Sequence, residues 1–227
     1  MINRELLENN KKLCQERADK LPDVSEILNK PESVCPVDWA KGVVAAAREE
    51  ACGKSVMCRD GLWQVELLLD AITNGQAESE DIALLREVLD AMNLVGCPNT
   101  KKVAQLLLAS MDTYADEWEL HARRHRCTAL ICSAYYSVYI DPALCKGCHD
   151  CVKAAPDGAI ASGDGMISVV VDDSGLKTDA VLSACPNGAV KKFSGVVRPR
   201  VPDAPVPVGS FGAAAAAGGG GRRRRRG

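Results

Sequence analysis

Eleven of the 227 residues are cysteine, and their spacing constrains this chain more than any other feature. The count is odd. The first residues, MINRELLENNKK, carry charge where a secretory leader would carry an apolar core. No apolar run reaches the roughly 18–20 residues that span a membrane. Such a chain is expected in the cytoplasm, where thiols stay reduced. Clustered cysteines there bind metal or do redox chemistry. The chain holds 28 Lys+Arg and 30 Asp+Glu, a net charge of -2. With the run Arg222–Arg226 set aside, 23 basic residues face 30 acidic ones. A mildly acidic body lacks the basic face that phosphates require, so nucleic acid is not an expected partner.

Four stretches follow from composition and periodicity. Residues 1–31 read as a polar helical leader. Residues 32–126 place apolar side chains at helical spacing, for example Leu62, Val65, Leu68, Leu69 and Ile72. They predict a four-helix bundle, with Ser79 as the N-cap of its third helix and a fourth helix running from Val103 through Trp118. Residues 127–195 alternate short β-type runs (Tyr136 to Ile140, Ile167 to Val171) with Gly- and Asp-rich turns. Residues 196–227 are rich in Pro, Ala, Gly and Arg, cannot bury a core, and are expected to be disordered. The predicted fold class is α+β, a helical bundle followed by a small α+β domain.

Within the third stretch, Cys145, Cys148 and Cys151 form C-x-x-C-x-x-C, and Cys185-Pro186 follows at a distance. A short loop of this kind wraps three corners of an iron–sulfur cube and a remote cysteine closes the fourth. Over about 60 residues the segment resembles bacterial-type ferredoxins. In their two-cluster form the first motif would end on a cysteine where Ala155-Pro156 stands. The second motif would need cysteines where Gly175, Thr178 and Val181 stand. The pattern therefore predicts one [4Fe–4S] cluster on Cys145, Cys148, Cys151 and Cys185. A structural zinc on the same thiolates is the competing reading.

The segment from Glu50 to Gly61, EACGKSVMCRDG, carries a second resemblance. It is similar to the ESCGKCxPCRxG motif of the NADH-binding flavoprotein subunit of respiratory complex I and its relatives in NAD-linked hydrogenases and formate dehydrogenases. The resemblance implies a helical domain with a [4Fe–4S] cluster, three of whose cysteines lie in the motif and a fourth about 40 residues on. Cys52, Cys58 and Cys97 match those positions. Asp116, Glu117, Trp118 and His121 match the family's D-E-aromatic-x-x-H ending. The middle cysteine is replaced by Ser55, which stays a candidate ligand because serine can bind iron as an alkoxide, although its hydroxyl is hard to deprotonate. Three outcomes stay open there: a [3Fe–4S] cluster, a [4Fe–4S] cluster with one labile iron, or an empty scaffold.

Cys35 stands before Val37-Asp38 like the family's C-x-V-D stretch, and Cys127 and Cys132 follow His121. Three thiolates and one imidazole suit a tetrahedral zinc, so Cys35, His121, Cys127 and Cys132 form a candidate zinc site. Buried free thiols packing as small hydrophobes are the alternative. Cys14 is left over as a bystander. No G-x-G-x-x-G or phosphate-cradling loop is present in the body, and the family's flavin and NADH domain is not represented, so neither FMN nor NAD is expected to bind. No catalytic residue stands out. The resemblance implies an iron–sulfur electron-transfer subunit, not a stand-alone enzyme. Its implied partners are other oxidoreductase subunits: a NADH-binding flavoprotein, a hydrogenase or a dehydrogenase. A non-catalytic redox or iron sensor, or an assembly protein with a labile cluster, is the alternative function.

Overall fold

The computed structural model describes residues 4–49, 51–194 and 199–211. The chain divides into two compact units, Met1–Tyr135 and Tyr136–Gly227. The first is helical and the second is a small α+β unit, as the sequence predicts.

In the helical unit the apolar periodicity becomes α3 (Pro36–Glu49), α4 (Leu62–Thr73), α5 (Asp81–Asn93) and α6 (Pro98–Thr113), preceded by α1 (Arg4–Ala18) and α2 (Val24–Leu28). α6 is the central element, packing against α1, α2, α3 and α5. Its Val103, Ala104, Leu106 and Leu107 are wholly buried among Leu62, Leu69, Leu85 and Leu89. Pro98 starts α6, where its missing N–H costs nothing and its fixed φ suits a first helical turn. The third helix begins one residue later than expected: Glu80 rather than Ser79 is the N-cap, and the Asp81 carboxylate accepts from the Glu78 amide at 2.9 Å.

The expected fourth helix is two. α6 ends at Tyr114, whose φ of −117° and ψ of 38° leave the helical region, and α7 (Ala115–Arg124) starts in a new direction. The Tyr114 hydroxyl contacts the carbonyl oxygens of Ile27 and Leu28 at 2.8 and 3.1 Å, which ties the break to the end of α2. The expected polar leader is part of the fold. α1 packs on α6, and Cys14, Ala18 and Leu21 are buried. A single buried stripe suffices to dock a helix whose other faces are charged. Cys127 and Cys132, expected to open the second domain, fold with the first, because the division falls after Tyr135.

In the second unit, β1 (Ser137–Ile140) pairs antiparallel with β5 (Val190–Phe193), in register from Ser137–Phe193 to Ile140–Val190. Between them lie α8 (Asp150–Ala154), β2 (Ile160–Ala161), β3 (Met166–Ile167), β4 (Val169–Val170) and α9 (Asp179–Ser183), with β2 paired to β4. The run Ile167 to Val171, expected as one strand, is split at Ser168, which is buried and shares a 2.8 Å hydrogen bond with Ser162.

The three positions where a second cluster would need cysteines serve packing instead. Gly175 lies so close to Pro156 that a Cβ would meet its ring at 2.7 Å. Thr178 caps α9 by accepting from the Val181 amide, and Val181 is buried.

Disorder was expected from residue 196 onward. Residues 199–211 are instead structured: β6 (Val206–Pro207) pairs with β3, and the Val208 amide donates to the Gly165 carbonyl at 3.0 Å. Pro207 fits an edge strand, where its missing N–H breaks no ladder. The Arg222–Arg226 run lies outside the described residues. Among the described residues, no helix is long and apolar enough to cross a membrane.

Candidate metal centres

All eleven cysteines are free thiols. Spacing and resemblance to the family sort ten of them into three sets.

The first set converges tightly. Cys35 precedes α3, His121 lies on α7, and Cys127 and Cys132 sit in the loop beyond it. All four are buried, and their ligand atoms lie within 4.8 Å of one another. Cys35 Sγ is 3.2 Å from His121 Nε2 and 3.8 Å from Cys132 Sγ, and Cys132 Sγ is 3.5 Å from His121 Nε2. A tetrahedral zinc with bonds of about 2.3 Å to sulfur would set its sulfurs about 3.8 Å apart, so the group has the dimensions of a single-ion site. His121 Nδ1 donates to the Glu117 carbonyl at 2.7 Å, which leaves Nε2 facing the sulfurs. The edge of the imidazole packs on Tyr135. Desolvation alone would lower the His121 pKa, but the facing Cys127 and Cys35 sulfurs hold it up at about 10. Hydrogen bonds from the Cys132 and Cys35 thiols drive Cys127 far down as a thiolate, and Cys132 is driven up by the same contact. An incoming cation would displace the protons that now hold these ligands together.

The second set lies where the helices meet the motif loop. Gly53 turns that loop at a φ of +65°, which a side chain would resist. The chain then enters a π-helical turn, Met57–Gly61, that carries Cys58 into the core. Such turns are often found at functional sites. Cys97 is the N-cap of α6, where free backbone amides favour a thiolate. The Cys58 thiol and Thr100 outweigh desolvation and hold Cys97 down at about 5, while Cys58 is pushed up by that same contact and by burial. Desolvation works upward on Cys52, yet the Lys54 amide and the Cys14 and Cys58 thiols hold it below the usual thiol value. Ser55 does not join them as a sulfur would. Its hydroxyl oxygen accepts from the Cys58 amide at 3.3 Å, acting as a cap.

Cys14, left over in the sequence, lies beside this set. Its sulfur lies 3.6 Å from that of Cys52, and burial raises its thiol to about 12. Spacing could not assign it, since 38 residues separate it from Cys52. One signal was present in the sequence: one thiol was left over and one ligand position lacked a thiol.

The third set belongs to the second unit. Cys151 opens α8, and Cys185 follows α9, which packs against α8. Burial raises the Cys151 thiol, and the charges of Cys145, Cys185 and Cys148 push it further up, so the four lie within electrostatic reach. Cys145 and Cys151 are buried, Cys185 is half-buried and Cys148 is exposed. The Ala189 amide donates to Cys185 Sγ at 3.4 Å, a contact that suits an anionic sulfur. Gly147, between Cys145 and Cys148, has a φ of +69°, and a Cβ there would lie 2.9 Å from the Met166 carbonyl oxygen. Gly147→Ala is therefore expected to cost about 1–3 kcal/mol. Urea melts of the metal-loaded chain should show this, together with faster iron loss to a chelator.

Comparison with known proteins agrees with this geometry. Residues 38–121 match the family described as the NADH-ubiquinone oxidoreductase-F iron-sulfur binding region. The chain is 34% identical over 128 residues to the NADP-reducing hydrogenase subunit HndC of Solidesulfovibrio fructosivorans. That alignment covers 55% of this chain and 26% of the relative, so the chain spans about a quarter of the curated protein it matches. Cys52, Cys58, Cys97 and His121 all fall inside the matched residues. Residues 38–121 of this chain are therefore similar to the iron–sulfur binding region of the NADH-ubiquinone oxidoreductase-F family.

Proposed function

We propose that this chain is an electron-transfer subunit, relaying single electrons within a larger NAD(P)H-, hydrogenase- or formate-linked oxidoreductase complex of the cytoplasm. The observation that carries the reading is the match of residues 38–121, which include Cys52, Cys58 and Cys97, to an iron–sulfur binding region. In this reading Cys145, Cys148, Cys151 and Cys185 hold a [4Fe–4S] cluster, and the Cys52, Cys58 and Cys97 site holds a second one. Iron–sulfur clusters supply reversible one-electron storage, at potentials set by burial and by hydrogen bonds to the sulfurs.

The protein's own residues do the tuning. The Lys54 amide steadies Cys52 and the Ala189 amide steadies Cys185, and donors to anionic sulfur favour the reduced, more negative state. Burial of Cys58, Cys145 and Cys151 limits water at the sulfurs. Cys35, His121, Cys127 and Cys132 hold a zinc that ties the start of α3 to the end of α7. No side chain is assigned a catalytic role. NADH and flavin binding fall to a partner, a NADH-binding flavoprotein, hydrogenase or dehydrogenase subunit.

The test is anaerobic reconstitution of the full chain with iron and sulfide, followed by reduction and EPR spectroscopy. Cluster signals that appear on reduction and vanish on reoxidation are expected. A fully reconstituted sample with no reducible signal would sink the proposal.

A further inference from the structure

We propose that Cys14 takes the place of the missing middle cysteine and is the fourth thiolate of the iron–sulfur site formed with Cys52, Cys58 and Cys97. The inference rests on the iron–sulfur reading of the helical unit and adds a ligand that the motif does not contain.

Several independent observations meet on this residue. Cys14 is buried, and its Sγ lies 3.6 Å from Cys52 Sγ. The helix that carries it is fastened to the motif loop, since Lys54 Nζ donates to Asn10 Oδ1 at 2.5 Å. Asn10, Cys14 and Ala18 are spaced four apart and so share one face of α1, the face that includes its buried residues. α1 also packs along α6, whose N-cap is Cys97. Two helices and the motif loop thus bring four thiols together from α1, the loop, the π-helical turn and the start of α6.

Ser55 meanwhile has another task, accepting from the Cys58 amide. A hydroxyl is also far harder to deprotonate than a thiol, so Ser55 is the poorer ligand on chemistry and on geometry. On ligation each thiol releases its proton to solvent and its sulfur donates a lone pair to iron, with no net electron transfer.

The experiment uses the full chain, reconstituted anaerobically with iron and sulfide, as wild type, Cys14→Ala, Cys14→Ser and Ser55→Ala. Iron and sulfide are counted per chain, and EPR spectra are taken as prepared and after reduction. Far-UV circular dichroism verifies folding, and Cys14→Ser keeps the side-chain volume should alanine disturb α1. Wild type is expected to hold about eight irons, on the stoichiometry of two cubane clusters. Both Cys14 variants are expected to lose at least one iron and to gain the oxidised signal of a three-iron cluster, while Ser55→Ala keeps the wild-type count.

Cys14 variants with wild-type iron and spectra would overturn the assignment, as would loss of iron in Ser55→Ala instead. A wild-type chain with only four irons, all lost on Cys151→Ala, would also overturn it while leaving electron transfer through the second unit intact. A chain with no iron in either unit would overturn both proposals.

Discussion

Replacing Cys132 with alanine is expected to release one zinc per chain and to lower the melting temperature of the helical unit by on the order of 15 °C. The site joins three pieces of the chain: Cys35 before α3, His121 on α7, and the loop with Cys127 and Cys132. Free energy of binding at a structural zinc is free energy of folding, about 10–16 kcal/mol in isolated zinc-finger peptides. Here the apolar core around α6 would persist without the ion, so the loss is smaller. Removal of one buried ligand also leaves two thiols and an imidazole with their mutual charges uncompensated. Loss of a metal belongs to the few mechanisms that cost more than about 4 kcal/mol. At about 4 °C per kcal/mol, the expected shift follows for a unit of this size. Calorimetry with zinc analysis on wild type and variant is the measurement. An unchanged melting temperature with the zinc retained would show that Cys132 is not a ligand.

Replacing Cys151 with alanine has the second largest expected effect, loss of about four irons per chain and of the matching EPR signal. Cys151 is the buried thiol of α8, packed beside the helix that delivers Cys185. With no sulfur at that corner, the loop of Cys145, Gly147 and Cys148 has no interior ligand to close on. The zinc count and the irons of the helical unit are expected to stay at wild-type values, because the two units are separately compact. Metal analysis and EPR on the same sample check this. If the variant keeps all its iron, the third set is not a cluster site.

Much of the architecture was legible in the chain. The apolar repeat at Leu62, Val65, Leu69 and Ile72 became the buried face of α4, because a helix that must hide one stripe writes that stripe into its sequence. The C-x-x-C-x-x-C run with its distant Cys-Pro stands out in the sequence because cluster ligation imposes fixed local spacing. The convergence of Cys35, His121, Cys127 and Cys132 was anticipated from a resemblance, since spacing alone does not join residues 86 positions apart.

The exceptions share a cause. The break at Tyr114, the pairing of β6 with β3 and the place of Cys14 beside Cys52 all depend on partners distant in the chain. Tyr114 interrupts what is locally a good helix because its hydroxyl reaches the end of α2. Val206–Pro207, poor in strand signal, pairs because β3 offers an open edge.

By itself the sequence determined the α+β class, the helical faces and the types of ligand available, since periodicity and residue chemistry act over a few positions. The place of Cys14 among the thiols was decided only by tertiary packing. Burial on α6 brings α1 against the motif loop and sets Cys14 beside Cys52, and no local rule contains that contact.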